Sequence, residues 1–210
     1  MRIRPYLRCA GRLGLLPLIC LSFRAAHAGN AIWSSNPTSN DWNTAANWVP
    51  NTVPNGPTDV ATFAASSITS LKFSAAHNEV AEIVFNPGAS SFNINVDGQL
   101  SHHFATTLTI SGVGITNNSG VTQNLTSGPT VGRDNGTIEF LNAATAGDGT
   151  ALTALGAKLD GVTFPGSEIN FYGTSAAGTA SVVAEAGTGD LDAYGTAGRS
   201  FPCVRAGTMR

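Results

Sequence analysis

One phrase occurs twice in this chain, and its spacing limits what the chain can fold into. The sequence IEFLNAATAGDGT begins at Ile138, and INFYGTSAAGTAS begins at Ile169. Aligned without gaps, both phrases start with apolar-x-apolar, continue with small residues and contain an Ala-Gly pair. This pattern predicts a strand followed by a tight corner, because Ala and Gly let the backbone turn without a bulky side chain in the way.

Short alternating runs of apolar and polar residues continue on both sides of the repeated phrase, with turn residues about every 8–12 positions. In FNINV (92–96), Asn93 and Asn95 share one face, where we expect stacked polar ladders. Such strands fit a sandwich, a barrel or a β-solenoid. A solenoid repeats the same wall segment coil after coil, whereas sandwich strands do not recur as phrases. The repeated phrase therefore favours a parallel β-solenoid.

The composition also predicts an ordered, nearly all-β chain. Thr, Asn and Gly are poor helix formers, and Gly alone accounts for 24 of the 210 residues. Recurring Ile, Val, Phe and Thr distinguish the chain from disordered sequences, which are poor in β-branched and aromatic residues. The predicted strands are 59–63, 70–74, 81–85, 92–96, 107–111, 120–126, 136–142, 157–164, 168–173 and 180–186.

Residues 1–28 have the features of a signal peptide. Four arginines precede an apolar stretch of eleven residues at 13–23, and Ala26-His27-Ala28 supplies a small-x-small cleavage pattern. The apolar stretch is too short to span a bilayer as a helix, which takes about 20 residues. We therefore expect Sec-type export, cleavage after Ala28, and a location at the bacterial cell surface, at the outer membrane or outside the cell.

Removal of this leader would leave six basic and thirteen acidic residues, a net charge of −7. This charge disfavours binding to nucleic acid or to anionic lipid, because both need clustered Lys and Arg. Cys203 would be the one remaining cysteine. An intrachain disulfide and a cysteine-rich zinc site are therefore not expected.

Three tryptophans, Trp33, Trp42 and Trp48, lie within one short segment of the chain. The segment DWNTAANW (41–48), followed by VPNGPTDVATF (53–63), resembles the opening of bacterial exported β-helix proteins that carry autotransporter-associated β-strand repeats. The two repeated phrases are similar to later coils of those proteins. The resemblance covers most of residues 30–198 and implies a right-handed parallel β-helix in an autotransporter passenger-like surface protein. Its partners would be surface glycans or other cells.

Two interpretations of the tryptophans are open. The first coil of a solenoid has an open end with unpaired strand edges, and three indoles can plug it as an N-terminal cap. In the alternative, Trp33, Trp42 and Trp48 expose their faces and form a carbohydrate-binding platform. With the cap, the chain divides into a signal peptide (1–28), a Trp-rich cap (29–63), coils (64–198) and an irregular tail (199–210). That tail breaks the repeat pattern, which suggests a truncated or frame-altered end.

The sequence predicts no enzymatic activity, no cofactor and no metal site. In a strand, His102 and His103 would point to opposite faces, so a solvated turn pair is the expectation. Asp190 and Asp192 would share a face, as paired glycosidase carboxylates do, but their Gly-rich surroundings favour a solvated turn over catalysis or calcium binding. A β-helix polysaccharide lyase or hydrolase is the enzymatic alternative. It would require one wall to gather Asp134, Asp160, Asp190 and Asp192.

Overall fold

The computed structural model describes residues 29–98, 105–128, 135–156 and 166–185, together with the backbone of 203–205. Apart from one short 3-10 helix at Ala45–Asn47, the regular elements of these residues are all strands. The strands are β1 (Ala31–Trp33), β2 (Trp48–Val49), β3 (Gly56–Phe63), β4 (Ser70–Lys72), β5 (His77–Phe85), β6 (Asn93–Asp97), β7 (Thr106–Asn117), β8 (Gln123–Gly128), β9 (Gly136–Phe140), β10 (Thr150–Ala154), β11 (Glu168–Phe171), β12 (Ser181–Ala184) and β13 (Cys203–Arg205).

From β3 onward, successive strands alternate between two sheets. Sheet A has the order β13-β11-β9-β7-β5-β3-β1-β2, and sheet B has the order β12-β10-β8-β6-β4. All pairings within sheet B are parallel, and sheet A is parallel except for β2 and β13 at its two edges. Each coil thus contributes one strand to each sheet. The described residues form a parallel β-solenoid, as the sequence predicts.

The two copies of the repeated phrase occupy equivalent positions in neighbouring coils. Ile138 lies opposite Ile169 in the β9–β11 pair, and Phe140 lies opposite Phe171. All four side chains are buried in the core. The interval between the two phrases is therefore the length of one coil at this point of the solenoid.

The small residues of each phrase form two corners with a short wall between them. Asn142 and Gly173 form the first corner with φ of +59° and +70°, and Gly147 and Gly178 form the second with φ of +77° and +63°. Between the corners, Thr145 is bridged to the preceding and following coils in parallel. The Ala-Gly pair marks a corner, as predicted, because L side chains rarely adopt positive φ.

The core consists of inward-facing columns that run along the solenoid axis. Successive strands of sheet A stack Leu108, Ile138 and Ile169 in register. Sheet B contributes its own column: Leu71, Ile94, Leu125, Leu152 and Val182. Burying each large apolar side chain contributes about 1.5–3 kcal/mol, so each additional coil adds its own share of stability.

Several predicted strands differ from the structure in their limits, and two of them have an identifiable local reason. The segment predicted at 107–111 is part of the much longer β7, which carries a register shift against β5. The segment predicted at 120–126 begins only at Gln123, because Gly120 has a φ of +79° and belongs to the preceding turn. Strand β10 was not predicted, and the predicted strand at 157–164 lies outside the described residues.

Candidate functional site

The tryptophan-rich segment forms the interior of the N-terminal end of the solenoid. Trp33 is 1% exposed, and Trp42 and Trp48 are fully buried. Each indole N–H donates to a backbone carbonyl: Trp33 to Ile68 at 3.0 Å, Trp42 to Pro54 at 3.2 Å, and Trp48 to Trp42 at 2.7 Å. Buried indoles therefore have their one polar group satisfied.

The indole rings contact one another and the first phenylalanine of the core. Trp48 lies edge-on to both Trp33 and Trp42, with centroid distances of 5.1 and 4.9 Å. Phe63 packs against all three rings at 5.7–6.3 Å. These contacts confirm the predicted cap. The platform interpretation needs exposed ring faces, and in this structure protein covers the faces of Trp33, Trp42 and Trp48.

Asn47 organises the polar part of the cap. Its side chain is fully buried, and its Oδ1 accepts hydrogen bonds from the Thr38 backbone N–H, the Thr38 hydroxyl and the Ser39 N–H. Its Nδ2 donates to the Ser39 hydroxyl and to the Asp41 carbonyl. Since an unpaired buried amide costs about 1–3 kcal/mol per group, these five bonds explain why an asparagine sits between the tryptophans.

The first residues of DWNTAANW attach the cap to the next coil. The Asn43 Oδ1 accepts from the backbone N–H groups of Ser74 and Ala75, and its Nδ2 donates to Asn78 Oδ1 at 2.7 Å. Asp41 Oδ2 accepts from the Ser74 hydroxyl at 2.9 Å. The polar residues Asp41 and Asn43 of this segment therefore have a structural role in this fold.

The outer face of sheet A is acidic. Four half-buried glutamates lie on it: Glu79, Glu82, Glu139 and Glu168. The Thr116 hydroxyl donates to Glu82 at 2.7 Å, and the Thr109 hydroxyl donates to Glu139 at 3.4 Å. These side chains make the outer surface of sheet A unsuited to an anionic partner.

The outer face of sheet B differs in chemistry. Ten outward residues form two columns that we call the polar face: Ser70, Asn93, Asn124, Ala151 and Ser181, and beside them Lys72, Asn95, Thr126, Thr153 and Val183. Lys72, at one end, is the one charged member of this set. The predicted ladder is present, since Asn93 lies opposite Asn124 and Asn95 lies opposite Thr126. The sequence analysis missed the continuation of the columns through Thr153, because the outward positions of TALTA (150–154) are Ala151 and Thr153 and the other threonine, Thr150, is buried, so no polar alternation marks this strand.

Asp97 borders the polar face at the end of β6. Burial removes water from its carboxylate and raises the pKa of Asp97 above its ordinary value. Its neighbour in β8 is Gly128, where an added Cβ would lie only 2.1 Å from Asp97 Oδ1. The absence of a side chain at Gly128 therefore leaves room for this carboxylate.

Most of the acidic and histidine candidates lie outside the described residues, namely His102, His103, Asp134, Asp160, Asp190 and Asp192. Within the described ranges, no group of three or more His, Cys, Asp and Glu side chains could hold a metal ion. The same part of the chain contains no helix of the length and hydrophobicity needed to cross a bilayer.

Fold and cap together define the class of this protein as a parallel β-solenoid with an N-terminal tryptophan-rich cap. Comparison of the chain with protein-family models, with curated proteins and with solved structures finds no match. The function is therefore argued below from the residues and their arrangement.

Proposed function

We propose that this protein is an exported, non-enzymatic β-solenoid segment of the cell surface or of the secreted fraction, similar to an autotransporter passenger and structural or adhesive in role. The observation that supports this most directly is the unbroken series of parallel pairings in sheet B, from β4 through β6, β8 and β10 to β12, whose register does not shift at any step. A wall of this kind serves as a spacer or a repetitive display surface.

The physical properties of the fold suit an extracellular rod. Backbone hydrogen bonds between coils run along the solenoid axis, and the core columns run beside them, so rigidity does not depend on disulfides. The N-terminal edge of sheet A ends in the antiparallel β2, next to the buried tryptophans. An edge strand of only two residues, followed by Pro50, offers little backbone for edge-to-edge association.

The sequence features of export support the same proposal. Residues 1–28 carry the basic and apolar regions and the Ala-x-Ala pattern of a Sec-type signal peptide. The acidic mature sequence would keep the rod in solution and away from anionic lipid headgroups.

Export is tested by expressing the full chain in a bacterium with two membranes and locating the product by fractionation and surface protease treatment. We expect a mature chain that begins at Gly29, identified by intact mass. The matched control replaces Leu15 and Leu16 with Arg, which interrupts the apolar region and should leave the uncleaved precursor in the cytoplasm. An unprocessed wild-type chain found only in the cytoplasm would contradict the proposal.

A further inference from the structure

We propose that the polar face of sheet B binds a linear, uncharged polysaccharide. This inference specifies the adhesive role and to that extent rests on the function proposed above. It places the binding surface on the outer wall of sheet B. The tryptophans are not part of it, because their ring faces are buried inside the protein.

The polar face is a regular array. Its five strands pair without a register shift, so two outward positions recur at the same place on every strand. Neighbouring strands in a sheet lie about 4.8 Å apart, which is close to the length of one pyranose unit in an extended glycan. A polysaccharide that lies along the solenoid axis would therefore present one sugar unit to each coil.

The side chains of this array match the hydrogen-bonding groups of sugars. Sugar hydroxyls both donate and accept, as do the Asn amide and the Thr hydroxyl. Among the described residues, none forms a side-chain hydrogen bond with the Thr126 or Thr153 hydroxyl or with the Asn93 amide. These groups are available to a ligand, and the Thr methyl groups and Ala151 offer apolar contacts to the C–H faces of a sugar.

Charge distinguishes this face from the outer face of sheet A and favours an uncharged ligand. Nine of its ten residues are uncharged, whereas the outer face of sheet A carries four glutamates. A cationic partner would prefer those glutamates, and an anionic partner would meet a chain with excess negative charge.

The size of the face argues against a second copy of the chain as its occupant. Five strands at about 4.8 Å and strand segments of about five residues, at about 3.3 Å per residue, give roughly 400 Å². A stable protein–protein interface needs about 800 Å² on each partner. A polymer is not limited in this way, because weak contacts on successive coils add up along its length.

Affinity electrophoresis of the exported chain in native gels tests the proposal. Hydroxyethylcellulose and konjac glucomannan are the uncharged linear probes, and carboxymethylcellulose supplies an anionic chain with the same backbone as the first. We expect retardation by at least one uncharged polymer and none by carboxymethylcellulose. No retardation by either uncharged polymer would overturn the proposal.

A pair of double variants locates the binding surface. Thr126→Val with Thr153→Val removes two hydroxyls from adjacent strands of the polar face and should weaken retention roughly ten- to thirtyfold, at about fivefold for each lost hydrogen bond. Thr107→Val with Thr137→Val makes the same change on adjacent strands of sheet A and should leave retention unchanged. Circular dichroism verifies that both variants fold.

The remaining outcomes are equally informative. An equal loss of retention in both double variants would overturn the assignment to sheet B. A dimer that dissociates only in the Thr126→Val and Thr153→Val variant would assign the face to a second copy and would also overturn it. Export without retention contradicts this inference alone, and retention without export contradicts only the proposed surface location.

Discussion

Phe140 and Phe171 lie face to face, with ring centroids 4.8 Å apart and ring planes only 9° from parallel. The centroid distance equals the usual spacing of neighbouring strands, about 4.8 Å, so each ring extends straight inward from its own strand. The two residues are a full coil apart in the chain and directly opposite in the β9–β11 pair. The two rings therefore stack because the backbone register places their residues directly opposite each other on neighbouring strands.

Truncation of this stack should cost much of the stability of the C-terminal coils. Phe140→Ala removes a fully buried ring, and we expect a loss of about 3–5 kcal/mol in the free energy of unfolding. Urea unfolding followed by circular dichroism measures it. Val113→Ala is the control, since Val113 is 62% exposed and should change stability by less than about 0.5 kcal/mol. Equal effects of the two substitutions would show that the ring stack is not part of the core.

Gly147 and Gly178, the two glycines of the second corner, should differ in how well they tolerate replacement by alanine. Both have positive φ, which costs an L residue about 1–2 kcal/mol. An added Cβ at Gly147 would also lie 2.3 Å from the Ile115 carbonyl oxygen, whereas at Gly178 the nearest approach would be 3.8 Å, to the Gly147 nitrogen. Gly147→Ala should therefore lower the thermal midpoint more than Gly178→Ala. The reverse order in a thermal unfolding experiment would contradict the described corner.

The buried cap makes a spectroscopic prediction. Because Trp33, Trp42 and Trp48 are almost completely excluded from water, the folded chain should emit at short wavelength and resist quenching by acrylamide. The same chain in concentrated urea is the control and should be quenched readily. Addition of hydroxyethylcellulose should not shift the emission. Strong quenching of the native chain would mean that the cap is open in solution.

Asp97 should make the stability of the protein depend on pH. Its pKa is raised in the folded state because burial removes water from the carboxylate. The folded state therefore binds the proton more tightly than the unfolded state does. The stability contributed by the protonated form is complete below the ordinary Asp pKa and is lost as the pH rises through the folded pKa.

Asp97→Asn tests this assignment because the amide has the shape of the carboxyl group and no charge. We expect the variant to be more stable than the wild type at about pH 7 and close to it at about pH 3, where Asp97 is mostly protonated. Urea midpoints at both values provide the comparison. Glu185→Gln removes an exposed carboxylate and should shift both midpoints little. A variant that is less stable than the wild type at neutral pH would contradict the burial of Asp97.

The repeated phrase was sufficient to predict the solenoid, because it indicates one strand, the Ala-Gly corner and the distance to the next coil, whereas the first corner at Asn142 and Gly173 was found only in the structure. The cap was also predictable, since three tryptophans within one short segment are rare outside a special packing site. Asn47 shows what the sequence analysis could not specify. Its role depends on five hydrogen bonds to residues that only the folded loop brings together.

The limits of several strands could not be read from the sequence because the coils differ in length. Ser70 lies opposite Asn93, and Asn93 lies opposite Asn124, so the second of these two steps covers clearly more chain than the first. The connections between the strands take up this difference in coil length, and the coils that the structure describes do not share a single period. The register shift between β5 and β7 has a further local cause at Gly112, where a Cβ would lie only 2.8 Å from the Ala81 carbonyl oxygen.

The in-register stacking of coils has a consequence for how such a protein changes over time. Within each sheet the strands of a coil pair only with those of the coils directly before and after it. Duplication of one repeat unit, such as the segment 138–168, would therefore insert one new coil between matching neighbours. Height would then grow by about 4.8 Å for each added unit, without a redesigned interior. The number of repeat units encoded by the gene would thus set the length of the solenoid.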